Sequence, residues 1–245
     1  TEFSHNAGTL HATFPDPLHS WEMLGKGSSR ISYSPSKGPT QPALLWNKNF
    51  HTSIRSSTAI SDKLAFLGLM NGTLCAIDLK TSETVWSFES GAAVESSPAI
   101  ADGMVFFGTD SGRVYALDEG TGLVRWVYEV MPAGAAVTSS PAVFNGTVFI
   151  GSSGGRVYAL DEVRGYQVWN FSASAPVASS PALSNNMVFF GTDSGMVHAL
   201  NMTDGAPIWS YTIGPSYPIA STPAVADPII YVTSMNGRVY GLNQF

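Results

Sequence analysis

Few side chains in this sequence stand where they could do chemistry, and the most suggestive are Arg55 and Glu95. Each directly precedes two serines, Ser56-Ser57 and Ser96-Ser97, so the two charges hold matching places and could close an ion pair or grip a ligand together. His51 lies just upstream of Arg55, and Met131 and Tyr217 occupy corresponding stretches further along. An apolar and aromatic edge beside a charged pair suits recognition. Asp-Ser-Gly at 110–112 and 193–195 carries carboxylates of the kind that bind calcium. That ion takes six or more oxygens, however, and tight turns carry Asp and Gly for backbone reasons alone, so no metal site is expected. Cys75 is the one cysteine. Set in Leu-Cys-Ala-Ile-Asp, it reads as a buried, inert thiol and leaves no internal disulfide possible. No catalytic residue and no cofactor are expected.

A repeat positions these residues. Aligned on Ser-Ser-Pro-Ala, the chain copies itself from Thr58, Pro98, Pro141, Pro181 and Pro223, and Trp86, Trp126, Trp169 and Trp209 follow the first four at one constant interval. Self-similarity at about 40 residues is the signature of a four-stranded β-propeller blade. The fifth copy stops before its tryptophan, but Trp46 precedes Thr58 by the offset that separates Trp86 from Pro98. The expectation is an all-β, five-bladed β-propeller of four-stranded antiparallel blades, closed by an N-terminal strand that completes the last blade. Its blades are placed at about 51–90, 91–130, 131–173, 174–213, and 214–245 plus 41–50, with 1–40 an extension packed on the propeller.

In the second blade the strands are expected at Ser96–Ile100, Met104–Gly108, Arg113–Leu117 and Leu123–Tyr128. Asp102-Gly103 and its counterparts Asn145-Gly146, Asn185-Asn186, Asp227-Pro228 and Asp62-Lys63 mark first hairpins, where Asn-Gly and Asp-Gly supply the positive φ of a type I′ turn. Asp78, Asp118, Asp161, Asn201 and Asn243 recur at the last hairpin, where the side chain can bond its own turn. The tryptophans Trp46, Trp86, Trp126, Trp169 and Trp209 then lock neighbouring blades by burying a ring with an anchored indole N–H. The serine pairs face the axis, where small residues fit and hydroxyls would solvate buried water.

Charged residues make up 12% of the chain, about half the usual share, and the formal charge of −6 includes no basic run. Nucleic acid is not an expected partner. No apolar stretch has transmembrane length, and no signal peptide is visible. Asn-X-Ser/Thr sequons at Asn71, Asn145, Asn170 and Asn201 are glycosylation candidates and suggest a secreted or extracytoplasmic monomer.

The stretch Val-Tyr-Ala-Leu-Asp-Glu-Gly-Thr-Gly-Leu-Val-Arg-Trp at 114–126 resembles the PQQ-like repeat of quinoprotein propellers, marked by Ala-x-Asp-x-x-Thr-Gly-x-x-x-Trp. Residues 76–86, 159–169 and 199–209 are similar, with departures at Ser82, Arg164-Gly165, Asn201 and Asp204-Gly205. The segment from Trp21 to Pro39 resembles the lead-in of such proteins. The resemblance implies a β-propeller and, for the enzymes of the family, a dehydrogenase carrying pyrroloquinoline quinone and calcium. Those enzymes have eight blades, a pair of adjacent cysteines and axial carboxylates, and this sequence offers five copies and one cysteine.

Function is therefore expected where the copies disagree, in the connections 47–55, 87–95, 127–138, 170–178 and 210–220, and in the unrepeated residues 1–40. The reading is a non-catalytic, non-enzymatic binding or assembly module that recognises a protein or glycan through Arg55, Glu95, His51, Met131 and Tyr217. A lectin-like propeller is the alternative, and a quinone dehydrogenase or a glycoside hydrolase comes after it. A hydrolase needs paired axial carboxylates, and only Glu95 is expected there.

Overall fold

The computed structural model describes residues 43–215 and 217–245; the expected extension at 1–40 and the lead-in at 21–39 lie outside them. The described chain is all-β, with four antiparallel four-stranded sheets followed by one of three strands. Each sheet is a meander in sequence order, as in a β-propeller. In the second blade the strands are Ala99–Ala101, Met104–Gly108, Arg113–Asp118 and Val124–Glu129. The innermost strand is shorter than expected because Ser96 and Ser97 precede it.

Those serines have another task. The backbone N–H of Ser57 donates to Ser97 Oγ (2.8 Å), that of Ser97 to Ser140 Oγ (3.0 Å), and that of Ser140 to Ser180 Oγ (2.8 Å). The second serine of the second, third and fourth copies thus stitches its blade to the one before it. The first serine bonds within its own blade in three copies, as when Ser56 Oγ donates to Gly68 O and accepts from Gly68 N, whereas Ser179 Oγ donates to Ser221 O of the next blade and Ser96 Oγ is buried without a partner. The hydroxyls expected to solvate channel water are largely consumed by these backbone bonds.

The outer strand explains the rest of the repeat. In every four-stranded blade the outer-strand tryptophan pairs with an alanine, Trp126 with Ala116 and Trp169 with Ala159, and the register slips directly after that alanine. The bulge turns the ring toward the following blade, where its Nε1–H reaches a turn carbonyl. Trp46, Trp86, Trp126, Trp169 and Trp209 donate to the carbonyls of Leu79, Glu119, Glu162, Met202 and Gln244 over 2.8–3.0 Å. The repeat's Thr-Gly glycine is the floor of this contact. At Gly165, with φ of 72°, an added Cβ would sit 2.5 Å from the Trp126 ring, so both backbone and packing exclude a side chain there.

Four core clusters form between successive blades. In the largest of them, Phe106, Val114, Ala116 and Trp126 of the second blade meet Val148, Ile150, Tyr158 and Leu160 of the third. Hairpins of type I′ backbone occur at Asp102-Gly103, Asn145-Gly146 and Asn185-Asn186, with φ between 45° and 74°. At Asp227-Pro228 the proline cannot take positive φ, and the peptide is cis.

Among the described residues the expected closing strand is not formed. Residues 43–50 contain no strand, and the last sheet ends at Arg238–Asn243, which pairs only with Ile229–Ser234 among the described residues. The physical reason is a blocked socket. Gly68, Gly108, Gly151 and Gly191 each face Val94, Val137, Val177 or Ile219 of the next connection so closely that an added Cβ would lie 2.2–2.6 Å away. The matching residue of the last blade is Thr233, which carries a branched side chain where the others have none, and the matching residue of the first connection is Ile54. Thr233 is exposed and Ile54 is 47% exposed, so these two do not dock.

Candidate functional site

The expected site residues lie on the face formed by the inter-blade connections and the turns between second and third strands. Backbone bonds hold those two layers together in every blade. The N–H groups of Met70, Asp110, Ser153, Asp193 and Met235 donate to the carbonyls of Ser53, Ala93, Ala136, Pro176 and Pro218 over 2.8–3.0 Å. A turn residue differing from blade to blade is thereby fixed beside a connection that also differs.

Arg55 and Glu95 meet across the first two blades, with Nη1 to Oε1 at 2.8 Å. Most of the Arg55 side chain remains in solvent while Glu95 is largely covered, so the pair stabilises the fold by no more than about 1 kcal/mol. Asp110 joins them. Its Oδ1 is buried without a hydrogen-bond partner, and its carboxyl is pushed above the ordinary aspartate range by burial and then by the charge of Glu95, with Arg55 opposing. Two carboxylates and one guanidinium therefore share this corner, where a single axial carboxylate was expected.

Sequence reading missed Asp110 because it assigned the residue to turn formation. In the structure the turn is held by Thr109, which exchanges hydrogen bonds with Arg113 and Ser111, leaving Asp110 free for the rim. The available signal was register: Met70, Asp110, Ser153, Asp193 and Met235 vary, whereas Thr109 and Thr192 repeat. Asp193 shows the same upward displacement from burial alone.

His51 has φ of 54°, a left-handed backbone shared by Gly91, Gly134 and Ser174 at the same register, and its N–H donates to Asn49 Oδ1 (2.8 Å). Met131 is 59% exposed and Tyr217 47% exposed. The backbone of Met131 is clamped by the Tyr158 hydroxyl, which accepts from Met131 N (2.8 Å) and donates to Met131 O (2.9 Å). The structure brings Arg55, Glu95 and Asp110 together. It places Met131 and Tyr217 on the same rim in other blades, with no hydrogen bond or ion pair to that trio.

Elsewhere, Cys75 is buried and its thiol is pushed up to about 11, chiefly by desolvation and then by Glu89. Asp118 is held at about 2 by hydrogen bonds from Thr121 and Arg125, as a turn-capping carboxylate should be. Asn71, Asn145 and Asn170 are exposed and Asn201 is half-buried. Asn170 lies within a strand, Gln167–Ser172. Among the described residues, no group of three His, Cys, Asp or Glu side chains is disposed to hold a metal ion, and no helix is long and apolar enough to cross a membrane.

The solved structures most informative for comparison are propellers. BamB from Moraxella catarrhalis superposes with a TM-score of 0.69 at 24% identity, covering 78% of this chain and 61% of that one. Two quinohemoprotein alcohol dehydrogenases, ADHIIG from Pseudomonas putida HK5 and that of Comamonas testosteroni, each superpose with a TM-score of 0.79, at 17% and 18% identity, covering 93% and 92% of this chain but 46% and 47% of theirs. This chain thus spans less than two thirds of each. At these identities the likeness shows the fold alone. No curated protein sequence matches the chain. The family described as outer membrane protein assembly factor BamB matches residues 38–176 and 153–244, most of the length, and this chain, a PQQ-like repeat propeller, belongs to it.

Proposed function

We propose that this chain is a non-catalytic, protein-binding assembly module working outside the cytoplasm, with the rim of inter-blade connections as its recognition surface. Membership of the BamB assembly-factor family carries the reading. The rim supports it. Arg55, Met131 and Tyr217 project from a face whose backbone is fixed by the turn bonds described above, and a rigid frame with variable exposed anchors is a common basis for recognition. The Arg55, Glu95 and Asp110 corner adds charge specificity, since two carboxylates beside one exposed guanidinium favour a partner that offers both a donor and a carboxylate.

Site-directed photo-crosslinking in the host cell tests this reading. Crosslinkers at Met131 and Tyr217 should give discrete adducts with envelope proteins, whereas those at Glu83 and Glu119, on last-hairpin turns of the opposite face, should not. With the partner purified from such an adduct, Arg55→Ala should weaken binding by more than about 1 kcal/mol without lowering the melting temperature appreciably. Adducts arising only from the opposite face, or Arg55→Ala binding as well as the parent, would refute the assignment.

A further inference from the structure

On the opposite face, the first and last hairpins of adjacent blades meet at a recurrent joint, and one such joint holds a buried carboxylate with no counter-charge. The side chain that follows the last hairpin's Asp or Asn, and whose own carbonyl receives the preceding blade's tryptophan, is Leu79, Glu119, Glu162, Met202 or Gln244. Its backbone N–H donates to the first hairpin of its own blade, Glu162 to Gly146 O and Gln244 to Pro228 O, both at 3.0 Å.

The joint between the fourth and fifth blades shows what converges there. Asn185 Nδ2 donates to Asp227 Oδ1 (2.9 Å) and Gln244 Oε1 (3.0 Å), and Gln244 Nε2 donates to Asp227 Oδ1 (3.3 Å). One carboxylate and two amides satisfy one another. At the same places between the second and third blades stand Asp102, Asn145 and Glu162. Two amides have become carboxylates and the carboxylate an amide, so the N–H groups that filled the first network are mostly gone.

Glu162 is only 2% exposed, yet its Oε1 is buried with no hydrogen-bond partner. Neither ion pair among the described residues includes it. Burial, and then the charges of Asp102 and Asp161, push its carboxyl above the ordinary range. Asp161 is committed to its own turn, accepting from Val163 and Arg164. Asp102 and Asn145 are solvent-exposed. A buried, unpaired carboxylate oxygen costs more than an apolar group in its place, and hard divalent cations are the ligands that accept carboxylate and amide oxygens together with water.

We propose that Glu162, Asp102 and the Asn145 side-chain oxygen form a calcium site that pins the second blade to the third, with water completing the shell from the exposed side. With only two carboxylates, the site belongs to the weak class, with a dissociation constant of about 10⁻⁴–10⁻³ M, as in extracellular modules. It differs from a quinone-associated axial site in both face and ligands, and it does not depend on the recognition rim.

Trp126 makes the proposal directly readable, because its indole N–H donates to the carbonyl of Glu162 itself at 2.8 Å. Terbium added to the whole chain should give saturable luminescence on tryptophan excitation, and calcium should displace it. Calcium should also raise the melting temperature. Glu162→Gln, which copies the folded and satisfied Gln244, should keep the fold, melt higher than the parent in the absence of calcium, and lose at least ten-fold in terbium affinity; Asp102→Asn should also weaken it. A parent protein with no saturable luminescence, or a Glu162→Gln variant that binds terbium as well as the parent, would overturn the site. A calcium-independent gain on Glu162→Gln with no metal response in the parent would show instead that Glu162 merely holds a proton.

Discussion

The third and fifth blades contain nearly the same strand, Arg-Val-Tyr-Ala-Leu-Asp at 156–161 and Arg-Val-Tyr-Gly-Leu-Asn at 238–243, with opposite fates. Val157 is fully buried and Val239 is 68% exposed; Phe149 is fully buried and Tyr231, at the same register, is 43% exposed. Strand identity and strand pairing are thus properties of the repeat, but burial is conferred by the blade that follows. The last blade also departs from the repeat in sequence. It carries Thr233 where the others keep a glycine socket, and Gly241 where the others set an alanine against the outer-strand tryptophan. The same pattern read from sequence therefore describes a core in one place and a surface in another.

The sharpest way to break this comparison is to remove the inter-blade anchors one at a time. Trp126 is 7% exposed and packs on Phe106 at a ring separation of 5.8 Å, so Trp126→Ala should cost about 3–5 kcal/mol in chemical denaturation. Trp46 precedes the first blade from a segment without strand partners and is only half-buried. Trp46→Ala should cost less than about 2 kcal/mol, because its ring is less completely buried than that of Trp126 and less apolar surface is lost. Equal losses at the two positions would mean that residues 43–50 are as integral to the fold as an interior strand.

A smaller effect tests the sockets. Gly151→Thr would drive a branched side chain against Val177, whose Cγ1 lies 2.6 Å from the position of an added Cβ, and overpacking of this kind costs about 1–3 kcal/mol or more. The reciprocal Thr233→Gly change removes an exposed side chain and should cost no more than about 1 kcal/mol, through backbone entropy. Thermal melts of both variants decide the matter. A strongly destabilised Thr233→Gly variant would show that the threonine is engaged rather than merely standing in the glycine's place.

Legibility of the sequence followed the same division. The blades, their hairpins and the tryptophan register were readable because turns need Asn, Asp and Gly, and because a ring that must reach the next blade recurs at one spacing. The absent closing strand was not readable from Trp46, whose phase suits the outer strand of a last blade and the approach to a first blade equally. Thr233 and Ile54 carried the missing information, since a branched side chain in the glycine's place at one end and an apolar plug left over at the other do not fit. On the rim, Arg55 and Glu95 were legible as charges that break a repeat. Asp110 was not, because a turn aspartate looks the same whether Thr109 or Asp110 holds the turn.

The subtlest contrast lies inside the interior blades, where His198 replaces a tyrosine. Tyr115 and Tyr158, at its register, send hydroxyls to the connection backbone, to Ser90 O at 3.4 Å and Met131 O at 2.9 Å. His198 stacks on Phe190 at 5.1 Å but leaves Nε2 buried and unpaired. Burial lowers its pKa from the ordinary 6.5, so the folded protein resists a proton that the unfolded chain accepts. Above that value both states are neutral and pH has no leverage through this group. As pH falls below it, the unfolded state gains the proton first, and stability drops by at most about 1.4 kcal/mol per pH unit until the folded pKa is reached. Glu162, Asp110 and Asp193, whose pKa values are raised, act in the opposite sense, gaining stability as pH falls, so the raw acid limb of the parent mixes the histidine with several carboxyls. Subtraction isolates the histidine. The difference in stability between His198→Tyr and the parent should be flat above neutrality and widen in favour of tyrosine as pH falls below 6.5. A difference that stays constant across that range would mean that Nε2 finds a partner when protonated, and that the fourth blade tolerates the charge its neighbours' tyrosines never present.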